Sequence, residues 1–144
     1  ALLRRCGFAG RELVYPRELS LGMKQRVAVI RCFLSSPSAM LMDEPFAALD
    51  YQNRIQLHRE LLELWEQEHK TVIFVTHDIE EAIVLSDRIV VLSRQPASVM
   101  AEFQVPFGRP RDPAVVLEEE FLVLKRRVWK ALGPKADAAV RFGD

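Results

Sequence analysis

The run Met40-Leu41-Met42-Asp43-Glu44-Pro45 decides the fold. A short apolar segment stops at two adjacent carboxylates. Four to eight apolar residues bounded by turn formers read as a fully buried strand. Burying an unpaired charge is costly, so acids at the end of such a strand need a reason. The C-terminal end of a strand in an open parallel sheet is where α/β proteins bind ligands. Paired acids there suit a phosphate-bound magnesium ion and an activated water. Yet no Gly-x-x-x-x-Gly-Lys-Ser/Thr loop occurs in the 144 residues to cradle the phosphates.

The bulk numbers describe an ordinary globular chain, 49% hydrophobic and 28% charged. At this length one domain buries roughly 68–70% of its unfolded surface. Lys and Arg number 20, as do Asp and Glu, so the net charge is zero. That balance gives no general pull toward nucleic acid or anionic lipid. Cys6 and Cys32 lie in no metal or redox spacing, which suits a reducing compartment. No apolar run approaches the ~20 residues of a membrane span, and no signal peptide is visible. The chain opens Ala1-Leu2-Leu3-Arg4-Arg5 without Met and reads as the back part of a longer protein.

Working outward from the acidic strand end, the elements alternate. Residues 1–18 hold a short amphipathic piece and then the turn Tyr15-Pro16. Ser20 is a good N-cap for a helix striped by Met23, Val27, Ile30 and Leu34. Ser35-Ser36-Pro37 ends that helix, and Ala39 to Met42 is the buried strand. Asp50 caps a second helix reaching Glu68, with Leu57, Leu61 and Leu64 on one face. His58 and His69 read as surface positions of this helix. Thr71 to Val75 consists of strand formers. Asp78 to Leu85 is a short helix with Glu80 and Glu81 at its positive end, and Arg88 to Leu92 is a third strand. This order implies a parallel sheet with right-handed crossovers and flanking helices.

Beyond Leu92 the character changes. Gln95-Pro96-Ala97-Ser98 is a turn and Val99 to Val105 a peripheral strand. Pro106, Pro110 and Pro113 make an extended linker. A last helix spans Ala114 to Leu132, with Leu117, Phe121, Leu124, Val128 and Leu132 on one face and Gly133-Pro134 as its stop. That face is expected to pack on the domain. The cations from Arg94 to Arg111 read as a solvated rim. The predicted division is 1–105 for the α/β part and 106–144 for the linker and C-terminal helix.

Three elements carry chemistry. Asp43 and Glu44 follow one strand, and His77 follows the strand Val72-Ile73-Phe74-Val75-Thr76. In a parallel sheet both strand ends share one edge. One carboxylate can hold Mg²⁺ directly or through water. The other can deprotonate the attacking water, a help worth roughly 10²–10⁴ in rate. A histidine can hydrogen-bond a phosphate as charge develops. The segment Leu19-Ser20-Leu21-Gly22-Met23, at a helix start, offers a hydroxyl and backbone N–H groups to an anion. Ser20 as a plain N-cap is the structural alternative.

These segments together resemble the ATP-binding subunits of ATP-binding-cassette (ABC) transporters. Leu19-Ser20-Leu21-Gly22-Met23-Lys24-Gln25-Arg26 is similar to the family signature, and Met40 to Pro45 resembles the Walker B strand with its glutamate. Phe46-Ala47-Ala48-Leu49-Asp50 resembles the D-loop. Thr76-His77-Asp78 resembles the switch-histidine segment, followed by Glu81-Ala82 and Ser86-Asp87-Arg88-Ile89. Met23, the Glu-Pro-Phe-x-Ala-Leu-Asp form and Arg109-Pro110-Arg111 look most like importers of nitrate, sulfonate or taurine.

The resemblance implies part of a P-loop NTPase fold, with a C-terminal strand and helix added, and Mg²⁺ and ATP as cofactors. Asp43 takes the metal, Glu44 is the catalytic base and His77 contacts the γ-phosphate. Ser20, Gly22 and Met23 belong to the nucleotide-contacting set, Ser20 and Gly22 reaching ATP held by the opposite subunit. Ala47 and Asp50 join that set from the dimer seam, Asp50 being also an N-cap. The implied function is ATP hydrolysis powering import of a small anion. The implied partners are a second ATP-binding subunit, membrane permease subunits and a solute-binding protein, with no nucleic acid. The implied place is the cytoplasmic face of the membrane.

Two departures stand out. Leu21 replaces the first signature glycine, where a branched side chain crowds a close approach. The Walker A and glutamine loops of the family are absent from the chain, so the isolated chain is not expected to turn over ATP by itself. A non-catalytic reading follows: a truncated cassette acting as an interaction module for a complete ABC subunit.

Overall fold

A computed structural model describes residues 8–35 and 37–133. Cys6, Ser36, Pro134 and the front of the expected N-terminal amphipathic piece lie outside the described residues. Contacts divide the chain into two compact units that meet in sequence at Thr76 and His77.

The first unit holds helix α1 (Leu21–Leu34), strand β1 (Ala39–Asp43), helix α2 (Tyr51–Glu68) and strand β2 (Thr71–Val75). A single 3-10 turn, Pro16–Glu18, precedes α1. β1 and β2 are parallel and in register, Ala39 opposite Thr71 and Asp43 opposite Val75. α2 is the crossover between them, so β1-α2-β2 is a βαβ unit.

β1 is not fully buried. Met40 and Met42 are buried, whereas Leu41 is 70% exposed and Ile73 and Val75 are also exposed. The alternation follows from the pleat: successive side chains point to opposite faces. On the covered face Phe74 stacks 5.6 Å from Phe46, and Phe46 lies 5.0 Å from His58 of α2. Phe46 is 0% exposed and ties the turn after β1 to both sheet and helix.

His58 is therefore a core residue, not a surface one, because its ring fills the space beside Phe46 next to the buried Leu57, Leu61 and Leu64. His69 does stand exposed at the C-cap of α2, with φ 46°. Ile30 of the expected stripe of α1 is buried, but Leu34 is exposed, and Val29 and Phe33 complete the buried face with Ile30. Arg26 of α1 pairs with buried Glu60 of α2 at 3.3 Å, and Gln56 donates to the same carboxylate at 3.0 Å. The pair fixes how α1 lies on α2.

The second unit begins with helix α3 (Ile79–Leu85) and strand β3 (Arg88–Leu92), followed by strand β4 (Val99–Gln104) and helix α4 (Glu119–Leu132). β3, expected as a third parallel strand, pairs antiparallel with β4, Arg88 opposite Gln104. The short turn segment between them, residues 93–98, lets the chain fold straight back, the shortest route to a partner strand. α4 lays Phe121, Leu124 and Val128 inward, and Ile89 and Val91 of β3 are buried. Arg127 covers the Phe103 ring at 5.4 Å.

The C-terminal helix starts later than its periodicity suggests. Residues Pro113–Leu117 form a 3-10 turn capped by Asp112, and α4 begins only after Glu118. Leu117 falls at that break and is 83% exposed, off the apolar face.

Arg111 is also not where its surroundings suggest. It is 6% exposed, inside the unit, rather than on a solvated rim. Its guanidinium donates to the carbonyls of Ile83, Val84 and Ser86 at 3.0, 3.1 and 2.7 Å, and to Phe107 at 2.7 Å. Burial lowers its proton affinity, the like charge of Arg109 adds to that, and Asp87 opposes it.

Candidate functional site

Asp43 ends β1, exposed, in register with Val75. The Glu44 N–H donates to the Val75 carbonyl at 2.8 Å, so the parallel ladder runs one residue past the strand. Glu44 then turns into the left-handed region at φ 41°. A β-carbon in that region costs roughly 1–2 kcal/mol. Such strain persists only where the surroundings over-determine it, and it clusters at functional sites. Here the Val75 bond on one side and buried Phe46 on the other hold it.

The turn continues through Ala47 N–H to the Glu44 carbonyl at 3.3 Å and Leu49 N–H to the Phe46 carbonyl at 3.0 Å. Ala47 is exposed and Leu49 buried. Asp50 closes the turn as the N-cap of α2, accepting from the Asn53 backbone at 3.0 Å and its side-chain amide at 2.6 Å. The Asn53 backbone bond, and then its side-chain bond, hold the Asp50 carboxyl below its ordinary value of 3.8.

The start of α1 lies against this turn. Ser20 is its N-cap, its hydroxyl accepting from the Met23 N–H at 3.2 Å. The N-cap role of Ser20 is thus realised, and the residue is exposed. Leu21 projects its side chain outward, 61% exposed. A β-carbon placed on Gly22 would stand 2.8 Å from Cδ2 of Leu49. Gly22 is therefore the point where α1 closes on the turn that leads into α2. Met23 is half-buried, and its sulfur accepts from the Arg11 guanidinium at 3.4 Å.

The first unit thus gathers Ser20, Gly22 and Met23 at one helix start. It sets Asp43, Glu44, Ala47 and Asp50 along the strand-to-helix turn that Leu49 links to Gly22. His77 opens the second unit, exposed, directly before Asp78, the N-cap of α3. Asp78 accepts from Glu80 and Glu81 N–H at 2.8 and 3.2 Å. The packing roles of Leu49, the Arg26–Glu60 pair and Arg111 leave no sign in the sequence. The first two act through packing between elements, which no periodicity reports. Arg111 sits in a Pro-rich stretch with no periodicity at all.

The profile of the family described as ABC transporter matches residues 2–47. An uncharacterized ABC transporter ATP-binding protein of Methanocaldococcus jannaschii is 45% identical over 130 residues, 90% of this chain and 48% of that protein. The chain is a homologue of ABC transporter ATP-binding proteins. The aliphatic sulfonates import ATP-binding protein of Bacillus cereus is 45% identical over 121 residues, 83% of this chain and 46% of its own. The formylaminopyrimidine import ATP-binding protein of Halalkalibacterium halodurans is 40% identical over 130 residues, 89% and 52% of the two chains. The chain spans about half the length of the curated relatives it matches. Its α/β architecture, with parallel β1 and β2 joined by α2, agrees with part of the ABC ATPase fold.

A magnesium ion fits this donor set in one mode. Among the described residues no cluster of three or more His, Cys, Asp or Glu forms a protein cage. Mg²⁺ does not need one: it keeps several waters and is bound by one or two carboxylates plus substrate phosphates. Exposed Asp43 can supply such a carboxylate. Among the described residues no helix is long and apolar enough to cross a membrane.

Proposed function

We propose that this chain carries the metal and water side of an ABC-type ATPase site that powers import of a small solute. The observation that carries the reading is the Asp43-Glu44 pair at the end of a parallel strand, with Glu44 held at φ 41°. The likeness to import ATP-binding proteins supports it.

Asp43 would hold Mg²⁺ through water, and the bound ion would offset charge on the phosphates. Glu44 accepts the proton of the attacking water. Its backbone, held at φ 41°, fixes the point from which the side chain reaches the water. His77 donates to the terminal phosphate as charge gathers there. Ser20, Gly22 and Met23 face ATP held by a second ATP-binding subunit, with Ala47 and Asp50 at the seam between the two. The phosphate-binding loop comes from sequence other than these 144 residues. Permease subunits and a solute-binding protein complete the complex at the cytoplasmic face of the membrane. A small anion such as nitrate, a sulfonate or taurine is the cargo the motif forms favour.

Glu44→Gln is the test, made in the assembled subunit that joins this chain to a phosphate-binding loop. ATP hydrolysis should fall by roughly 10²–10⁴ while ATP binding persists. Unchanged hydrolysis would remove Glu44 from the role of base.

Leu21 favours a second reading. Its exposed side chain sits where the signature helix would meet nucleotide. The chain would then be a non-catalytic cassette that pairs with a complete ABC subunit. Co-purification with such a subunit, without ATP turnover that depends on Glu44, is the outcome that reading requires.

A further inference from the structure

α3 is only seven residues long, and both of its ends are tied. A helix leaves its last four carbonyls without partners inside the helix. Two arginines from the 105–112 stretch take the carbonyls at this end. Arg111 donates to those of Ile83, Val84 and Ser86. Arg109 donates to that of Leu85 at 2.9 Å. Both lean on one acid: Asp87 Oδ1 accepts from Arg109 Nε at 2.8 Å and lies 3.5 Å from Arg111 Nη2. At the opposite end Asp78 caps the first turn, and Glu80 pairs with Lys125 of α4 at 2.6 Å. His77 is the residue immediately before that cap.

We propose that Arg111, supported by Arg109 and Asp87, is a positioning residue for His77. It holds the far end of α3 so that the near end presents the histidine in one place. The inference rests on the reading of His77 as the phosphate-contacting group.

The lever is short and stiff enough for this. Seven residues rise about 10 Å, so tilting α3 by about 10° at the clamp moves its other end about 2 Å. A helix of this length is not stable by propensity, so its ends and its packing set where it lies. Misplacing a catalytic group by about 1 Å can cost about 10²-fold in rate. A buried guanidinium is suited to the task because its planar fork aims five N–H donors in fixed directions, whereas an ammonium offers three on a rotating head.

The experiment is a double-mutant cycle on ATP hydrolysis in the assembled subunit that includes a phosphate-binding loop. Arg111→Lys keeps the charge and removes the fork. Its kcat should fall about tenfold with KM for ATP within about twofold of the parent. In a His77→Ala background the same change should alter kcat less than about twofold, since no imidazole is left to misplace. Asp87→Asn loosens the clamp from its exposed side and should show the same pattern more weakly. It decides the matter if Arg111→Lys fails to fold. An equal loss in both backgrounds, or no loss from either variant in folded protein, overturns the proposal. If His77→Ala alone leaves kcat unchanged, the role of His77 itself falls and the proposal with it, and that single variant reveals which has failed.

Discussion

Glu44 combines two demands in one residue. Its carboxylate is the candidate base, and its backbone sits in a region that L-residues avoid. The type of residue was legible from the sequence, as an acid after an apolar strand. The left-handed turn was not, because Glu-Pro carries no glycine to announce it. Asp50 was legible as an N-cap, and the structure realises that cap through Asn53. Its pH behaviour follows from the sign of the shift. A carboxyl whose folded-state pKa is depressed contributes stability that is full above its ordinary value of 3.8, and lost as pH falls through the folded-state value. Asp50→Ala should therefore lower the unfolding midpoint near neutral pH, with the gap to the parent closing as pH drops below 3.8. Thermal unfolding followed by circular dichroism across that range checks this. A gap that stays constant would mean that the charge on Asp50 contributes nothing to the cap.

Between elements, the meeting of Gly22 and Leu49 links the start of α1 to the turn before α2. Glycine in a helix costs roughly 1 kcal/mol relative to alanine. Gly22→Ala should nevertheless fail to stabilise, because the new methyl would stand 2.8 Å from Leu49 Cδ2. In a Leu49→Ala background the same change should stabilise by about 0.5–1 kcal/mol. Urea unfolding of the four proteins reads the difference. Equal effects in both backgrounds would show that Leu49 does not determine the residue at 22. Elements themselves were well marked in the sequence: β2 was expected over the residues where it lies, and α1 and α2 begin after the expected caps. Faces were read less well. His58 and Leu34 exchanged places with expectation because a helix stripe shows which residues could be buried, not what lies opposite them. Phe46, arriving from the turn, decides for His58.

Across the molecule, the parallel pairing of β1 and β2 was legible, whereas the fate of β3 was not. Alternating strands and helices favour a parallel sheet, but β4 follows β3 so closely that the antiparallel partner is nearer to hand. The bare face of β1 and β2 gives a test at this scale. Leu41→Lys places a charge on a side chain already 70% exposed, so it should change the chain's stability by less than about 0.5 kcal/mol. It should also suppress concentration-dependent self-association, since exposed apolar patches drive it. Unfolding and light scattering measure the two effects. A loss of several kcal/mol would show that Leu41 is covered.

The clamp on α3 also dictates where this chain can be cut. Residues past Val105 look like a tail by composition, yet they return Arg109 and Arg111 to α3 and bring α4 to β3 and β4. A chain ended at residue 105 should keep the protease resistance of β1-α2-β2 and lose that of α3. One ended after Gly133 should keep both. Limited proteolysis with mass mapping separates the two outcomes. The second unit is thus closed by its own C-terminal sequence, so a module boundary that respects it falls after α4.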